Sequence, residues 1–274
     1  MSQDGTVGQL AQRQSARRSW QNPTTVLITG ATGGIGTALA RCYAQPGRTL
    51  ILHGRDAPRL ATVTHECELL GAQVHGTCFD LRDAEAAMAA LRELSSRHVI
   101  DLAIVNAGVS RGVGRGLEEE SWDAAKAVLA VNLNGAIATV SGVLPEMRRR
   151  GAGQIAVVSS LAAYFGLPVT PTYCASKAAL KVYGEAMRGL LAPQGIAVNV
   201  VLPGFVKTPM SDRFPSAKPL LMSPERAATL IRRGLERNRA RIAFPLRLAW
   251  AMWFLSVLPA ALSQWMVRTA GFGR

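Results

Sequence analysis

The chain has 274 residues, of which 49% are hydrophobic and 18% charged, and that much apolar surface excludes a disordered protein, because burying it offsets the entropy lost on ordering the backbone. The 26 glycines follow no triplet period, and Cys42, Cys67, Cys78 and Cys174 form no CxxC pair, which excludes collagen-like and disulfide-stapled classes and favours a reducing, cytoplasmic setting. Lys and Arg outnumber Asp and Glu by 31 to 18, so an anionic partner is expected, whether nucleic acid, membrane or cofactor.

In chain order, residues 1–23 come first, rich in Gln, Ser, Gly and Arg and without an apolar run; they read as a disordered basic leader and not as a signal peptide. The main domain is expected over 24–245. Apolar runs at 25–29, 48–53, 73–79, 102–105, 154–159, 196–201 and 241–244 have the length and composition of strands. Helical periodicity fills 34–45, 56–70, 83–96, 122–149 and 171–192. Continuous apolar strands alternating with helices predict an α/β fold: a doubly wound parallel sheet covered on both faces, in a single domain. Residues 246–274 form an apolar C-terminal extension, expected to be helical.

After the first strand, Thr29-Gly30-Ala31-Thr32-Gly33-Gly34-Ile35-Gly36 opens a helix. Glycine at such a turn lets a dinucleotide pyrophosphate approach the backbone and rest on the N–H groups of the helix start. A glycine turn also serves plain chain reversal, so this motif alone is a weak signal.

The spacing TGxxxGxG resembles that of the short-chain dehydrogenase/reductase family. The family's other motifs follow in order: Asn106-Ala107-Gly108 after the fourth strand, Asn132, Ser160, Tyr173 and Lys177 as YxxxK, then Pro203-Gly204 with Val206 and Thr208. The resemblance covers about 24–245. It implies a Rossmann fold and hydride transfer between NAD(P) and a small-molecule carbonyl or alcohol, with Tyr173 as general acid and base. The Lys177 charge, added to that of the oxidised nicotinamide, would favour the phenolate, Ser160 would hydrogen-bond the substrate oxygen, and Asn132 would hold a water linked to Lys177. Cofactor contacts are implied for Gly30, Thr32, Gly34, Ile35, Gly36, Asp80, Leu81, Asn106, Ala107, Gly108, Tyr173, Lys177, Pro203, Gly204, Val206 and Thr208. Ser159 is the competing serine, set aside because Ser160 has the family spacing.

At the second strand's end the sequence runs Leu52-His53-Gly54-Arg55-Asp56. NAD-preferring relatives carry Asp where Gly54 stands, and the Arg55 guanidinium suits a ribose 2′-phosphate. NADP(H) is therefore the expected cofactor, with NAD(H) the alternative and Asp56 its candidate ribose ligand. His65-x-Cys67 and His75-x-x-Cys78 fall on a helix and a strand, so no metal is expected. No zinc-finger spacing or aromatic–basic interleaving accompanies the arginines, so nucleic acid is not an expected partner. Arg111 and Arg115, among the glycines of the 109–118 loop, read as a solvated loop or as contacts for an anionic substrate.

Seven arginines crowd 226–247, and 248–267 then runs for 20 residues without a charge. That length meets the criterion for a membrane span, but Pro259 and Gln264 argue against one. Three readings stay open: an interfacial helix on an anionic membrane surface, at the inner face of a membrane; a docking surface for a partner subunit in a homo-oligomer or for the protein's own domain; or a true span. Two rival functions also stay open, a silent cofactor-binding scaffold and a nucleotide-sugar epimerase or dehydratase.

Overall fold

A computed structural model describes residues 20–111, 120–214 and 217–271; most of the basic leader and much of the 109–118 loop lie outside the described residues. Seven strands form one parallel sheet: β1 (Thr25–Thr29), β2 (Thr49–His53), β3 (Gln73–Thr77), β4 (Leu102–Val105), β5 (Gly153–Val158), β6 (Ile196–Pro203) and β7 (Arg241–Phe244), in the order β3-β2-β1-β4-β5-β6-β7. The central strands β4, β5 and β6 are buried at every position, as their unbroken apolar runs require. The edge strand β3 is partly exposed along its length and stops at Thr77, where its pairing with His53 ends. It is therefore two residues shorter than its apolar run.

The helices α1 (Gly34–Tyr43), α2 (Ala57–Leu69) and α8 (Pro224–Glu236) cover one face of the sheet, and α3 (Ala84–Arg97), α5 (Gly135–Arg150) and α6 (Pro171–Leu191) cover the other. Leu39, Val63 and Ile231 seal the first layer; Leu91, Val140 and Leu180 seal the second. Between them in sequence lie α4 (Trp122–Leu129) and the short α7 (Pro209–Asp212). The stretch Trp122–Arg150 is long and apolar enough to cross a membrane, yet most of it is buried in the protein. Gly142 explains part of that burial: a Cβ there would lie 2.6 Å from the Leu91 Cβ, so glycine permits the close approach of α5 to α3.

β1 pairs with both β2 and β4, so the chain reverses its direction of winding beside β1. In open α/β sheets a crevice opens beyond the strand ends at such a switch point, and ligands bind there. The glycine turn after β1 and the Asn106-Ala107-Gly108 segment after β4 flank that crevice.

The extension departs from the single helix expected over 246–267. It forms two helices, α9 (Leu246–Val257) and α10 (Ala260–Thr269), separated at Leu258-Pro259. Pro259 lacks an N–H and disfavours helical backbone in the residue before it, and Leu258 accordingly turns extended with ψ 156°. Ala249, Met252 and Val267 pack against Leu161, Leu202 and Cys174, so the extension folds back onto the domain.

Candidate active site

The glycine turn is shaped by contacts that leave no space for side chains. Gly30 has φ +66°, and a Cβ there would lie 2.7 Å from the Ala107 Cα. At Gly36 a Cβ would run into the Gly30 carbonyl and lie 2.9 Å from the Asn106 Nδ2. The Asn106 amide donates to the carbonyls of Thr29 (3.1 Å) and Gly30 (3.2 Å). In return the buried Thr29 hydroxyl accepts from the backbone N–H groups of Asn106 (3.1 Å) and Ala107 (3.2 Å). Thr29 is a positioning residue that sequence reasoning quoted within the turn without giving it a role. No side chain caps α1, whose N-cap is Gly33. The N–H groups of its first turn are therefore left without a capping side chain, as a pyrophosphate site requires.

Around the second strand's end, a Cβ on Gly54 would lie 2.6 Å from the Thr32 Cγ2, so Thr32 occupies the space that an acidic side chain would need. Arg55 is exposed, and among the described residues its guanidinium makes no hydrogen bond or ion pair. Asp56 is otherwise engaged: it is the N-cap of α2 and accepts from the Arg59 N–H at 3.0 Å. Asp80 is held by Arg82, whose Nε donates to it at 2.7 Å, and that hydrogen bond draws the carboxyl below its ordinary range. Leu81 is buried beside Gly135.

The four residues expected to carry the chemistry come from three elements and gather near β4 and β5. Asn132 sits in a single π-helical turn, Ala130–Asn134, between α4 and α5, a local widening that is frequent at functional positions. It is fully buried. Its Oδ1 accepts from the Val109 N–H at 2.7 Å, and its Nδ2 donates to the Val109 carbonyl (2.9 Å) and the Ser176 hydroxyl (3.1 Å). Asn132 thus fixes the loop after β4, a partnership across 23 residues that no local pattern announces.

Ser160 follows β5 and caps the short 3₁₀ turn Leu161–Ala163, accepting from the Ala162 N–H at 3.1 Å. Its hydroxyl donates to the Pro203 carbonyl at 3.4 Å, and it lies close enough to the Tyr173 phenol to lower that group's pKa. Ser159 faces away: it is buried and donates to the Lys177 carbonyl at 2.6 Å. Tyr173 and Lys177 stand one turn apart on α6, with the Lys177 Nζ 5.8 Å from the Tyr173 ring centroid. The same Nζ donates to the Val158 carbonyl at 2.9 Å. A Cβ on Gly108 would lie 3.3 Å from both the Asn132 Oδ1 and the Lys177 Nζ, so these two polar atoms converge over that glycine.

Burial sets the titration of this pair. It raises the Tyr173 phenol to about 12, against the neighbouring Ser160 hydroxyl, which lowers it. It brings the Lys177 ammonium down to about 8. In the free protein, without the charge of an oxidised nicotinamide beside it, burial thus keeps the phenol protonated near neutral pH.

Lys177 gives a pH prediction whose sign follows from that shift. Below pH 8 both folded and unfolded chains hold the proton, and the folded state bears the full cost of a buried charge. Between pH 8 and 10.5 the folded protein releases its proton first, so stability rises with pH. The gain between pH ~7.5 and ~10 is about 2 kcal/mol, and it should vanish in Lys177→Met. Urea unfolding of both proteins at the two pH values measures it. Parallel responses would mean that Lys177 titrates as an exposed lysine does.

On the far side of the crevice, Pro203 ends β6, and the Gly204 N–H donates to the Phe244 carbonyl at 2.7 Å. A Cβ on Gly204 would lie 3.1 Å from both Leu248 and Pro245, so the extension braces this turn. Val206 is buried and bridges to Met222. Thr208 caps α7, and its side chain meets the space over Gly34, closing the segment against the glycine turn. Of the loop glycines and arginines after β4, Arg111 is described and exposed, whereas Gly112, Gly114, Arg115 and Gly116 lie outside the described residues. A cavity of about 590 Å³ lies between Ala162–Pro168, the start of α6 and α10, and none of Asn132, Ser160, Tyr173 and Lys177 lines it. Among the described residues no cluster of His, Cys, Asp and Glu is arranged to hold a metal.

The fold, the glycine turn at its switch point and the protein's relatives define a nicotinamide-dependent oxidoreductase acting on CH–OH and C=O groups. The family described as short chain dehydrogenase matches residues 24–219. An uncharacterised oxidoreductase of Myxococcus xanthus is 34% identical over 239 residues, covering 87% of this chain and 94% of its own. The 3-oxoacyl-[acyl-carrier-protein] reductase of Thermotoga maritima is 34% identical over 191 residues, 69% of this chain and 76% of that protein. Among solved structures, a short-chain dehydrogenase from Sphingobium yanoikuyae in complex with NADPH superposes with a TM-score of 0.75 at 26% identity, covering 88% of this chain and 94% of that one. The chain belongs to the short-chain dehydrogenase/reductase family.

Proposed function

We propose that the protein uses NADPH to reduce a carbonyl to an alcohol, or runs the reverse reaction, with Tyr173 as general acid and base. The observation that carries this reading is the buried Lys177, whose Nζ lies 5.8 Å from the Tyr173 ring centroid and converges with the Asn132 Oδ1 over Gly108. The bound nicotinamide supplies or accepts the hydride. Hydride transfer to a carbonyl leaves charge on its oxygen, and the Ser160 hydroxyl donates a hydrogen bond to that oxygen. The Tyr173 Oη gives it the proton. Lys177 restores that proton, and the Asn132 Oδ1 stands beside its Nζ, where one water would link them. In the direction of alcohol oxidation each proton moves the opposite way.

The nicotinamide preference rests on Arg55, whose unpaired guanidinium is available to a 2′-phosphate, and on Thr32, which fills the place of an acid at position 54. Asp56, spent on capping α2, is the weaker ribose ligand. The exposed Val182 and Leu190 on the outer side of α6 support a homo-oligomer, and the free cysteines support a cytoplasmic protein.

The test is a panel of ketones and aldehydes with NADPH, followed by loss of its absorbance. Turnover of any of them supports the assignment. Tight NADPH binding with no turnover across the panel would favour a cofactor-binding scaffold instead.

A further inference from the structure

Among the described residues, exposed apolar side chains concentrate on the two C-terminal helices. On α9, Leu246, Trp250, Trp253, Phe254 and Val257 recur at the spacing of a single helical stripe, while Ala249 and Met252 face the domain. On α10, Leu262, Trp265 and Met266 repeat the arrangement opposite Ser263 and Val267. These eight outward side chains are 36% to 67% exposed. Trp250 and Trp253 meet edge to face at 5.6 Å, which fixes two indoles together on the outer surface. A monomer in water rarely shows so large a contiguous apolar patch.

Three observations decide what covers it. The helices have 12 and 10 residues, about 18 and 15 Å, against roughly 30 Å of bilayer hydrocarbon. Neither spans, and their inner faces are already committed to Leu161, Leu202 and Cys174. The charges carried by the two helices themselves are of one sign, Arg247 and Arg268, both exposed. Arg247 flanks the stripe beside Phe254, exposed and, among the described residues, without an ion pair. A second copy would bring helices whose only charges are arginines to meet their like, on chains that each carry a net charge of +13. An anionic lipid surface answers both the apolar stripe and the charge. Paired tryptophans suit its head-group level.

We propose that α9 and α10 lie flat on an anionic phospholipid bilayer, with Trp250, Trp253 and Trp265 at the head-group level and Arg247 against the lipid phosphates. The active-site turn at Gly204, braced by Leu248 and Pro245 on the inner side of this anchor, is then held close to the membrane surface.

Vesicle co-sedimentation of the full chain tests this, with phosphatidylcholine alone or with about a third phosphatidylglycerol. The protein should pellet with the anionic vesicles and bind neutral ones at least about tenfold more weakly. Raising salt from ~0.05 to ~0.5 M should cost about another tenfold. The triple variant Trp250→Ser, Trp253→Ser, Trp265→Ser should lose at least about 100-fold in partition, with its thermal unfolding and its mass by light scattering unchanged. Arg247→Gln, which leaves the apolar face whole, should lose about fivefold on anionic vesicles and nothing on neutral ones; it carries the test if the triple variant does not fold. Wild type that stays in the supernatant, or binds both vesicle types equally, overturns the proposal. So does a fall in mass of the triple variant, which would assign the face to a second copy.

Discussion

Tyr173→Phe should lower turnover at least about 100-fold, the scale for losing a general acid, while NADPH binding and stability stay close to wild type. The substitution keeps the ring that packs beside Lys177 and removes only the hydroxyl. The fold has little to lose from it. Tyr173 is partly exposed, and the lysine keeps its hydrogen bond to the Val158 carbonyl. The loss should appear in kcat, because the proton is needed as charge develops on the substrate oxygen and contributes little to ground-state binding. Two serine variants sharpen the test. Ser160→Ala removes a hydroxyl close to the phenol and should also lower kcat. Ser159→Ala removes a hydrogen bond to the Lys177 carbonyl and should cost stability with far less effect on turnover. Single-turnover and steady-state rates on any accepted ketone measure all three. Near-wild-type turnover in Tyr173→Phe would remove the tyrosine from the mechanism.

The sheet was legible in the sequence because each inner strand is buried on both faces, so its apolar run has no interruption to misread. The glycine turn was legible for a related reason: backbone contacts such as that of Gly30 with Ala107 tolerate no Cβ, and the requirement is written in residue identity. What lay hidden depends on distance in sequence or on desolvation. Asn132 matched a motif, but its bond to both backbone groups of Val109 arises from a π turn that no periodicity marks. Ser159 and Ser160 differ only in which side of the β5 end they face. The titration of Tyr173 and Lys177 could not be judged from their spacing. Spacing brings the charge near the phenol, whereas burial, set by the whole fold, decides the direction of both shifts. The break at Pro259 was visible as a proline; what it implied, two short helices folded back on the domain, required the packing partners to be known.

Cofactor choice is the second large effect. NADPH should bind more tightly than NADH, and Arg55→Ala should narrow that gap by about 1.5–3 kcal/mol, the value of a hydrogen bond to a charged group, or roughly 10- to 150-fold. The expectation follows from what each neighbour is already doing. Asp56 caps α2 through the Arg59 N–H, and Asp80 is held by Arg82 at 2.5 Å. Among the described residues, Arg55 alone of the three makes no side-chain hydrogen bond or ion pair. A phosphate placed against it gains a charge-assisted pair without breaking an existing one, whereas NADH leaves the guanidinium in water at no cost. The gap should therefore shrink through weaker NADPH binding, with NADH affinity almost unmoved. Asp56→Ala separates the alternative: as a lost helix cap it should cost about 1 kcal/mol of stability and leave the nucleotide ratio as it was. Fluorescence titration of both nucleotides into the wild type and the two variants measures each effect. A wild type that prefers NADH, or an Asp56→Ala variant that loses NADH selectively, would move the ribose contact from Arg55 to Asp56 and turn the enzyme's preference to NAD.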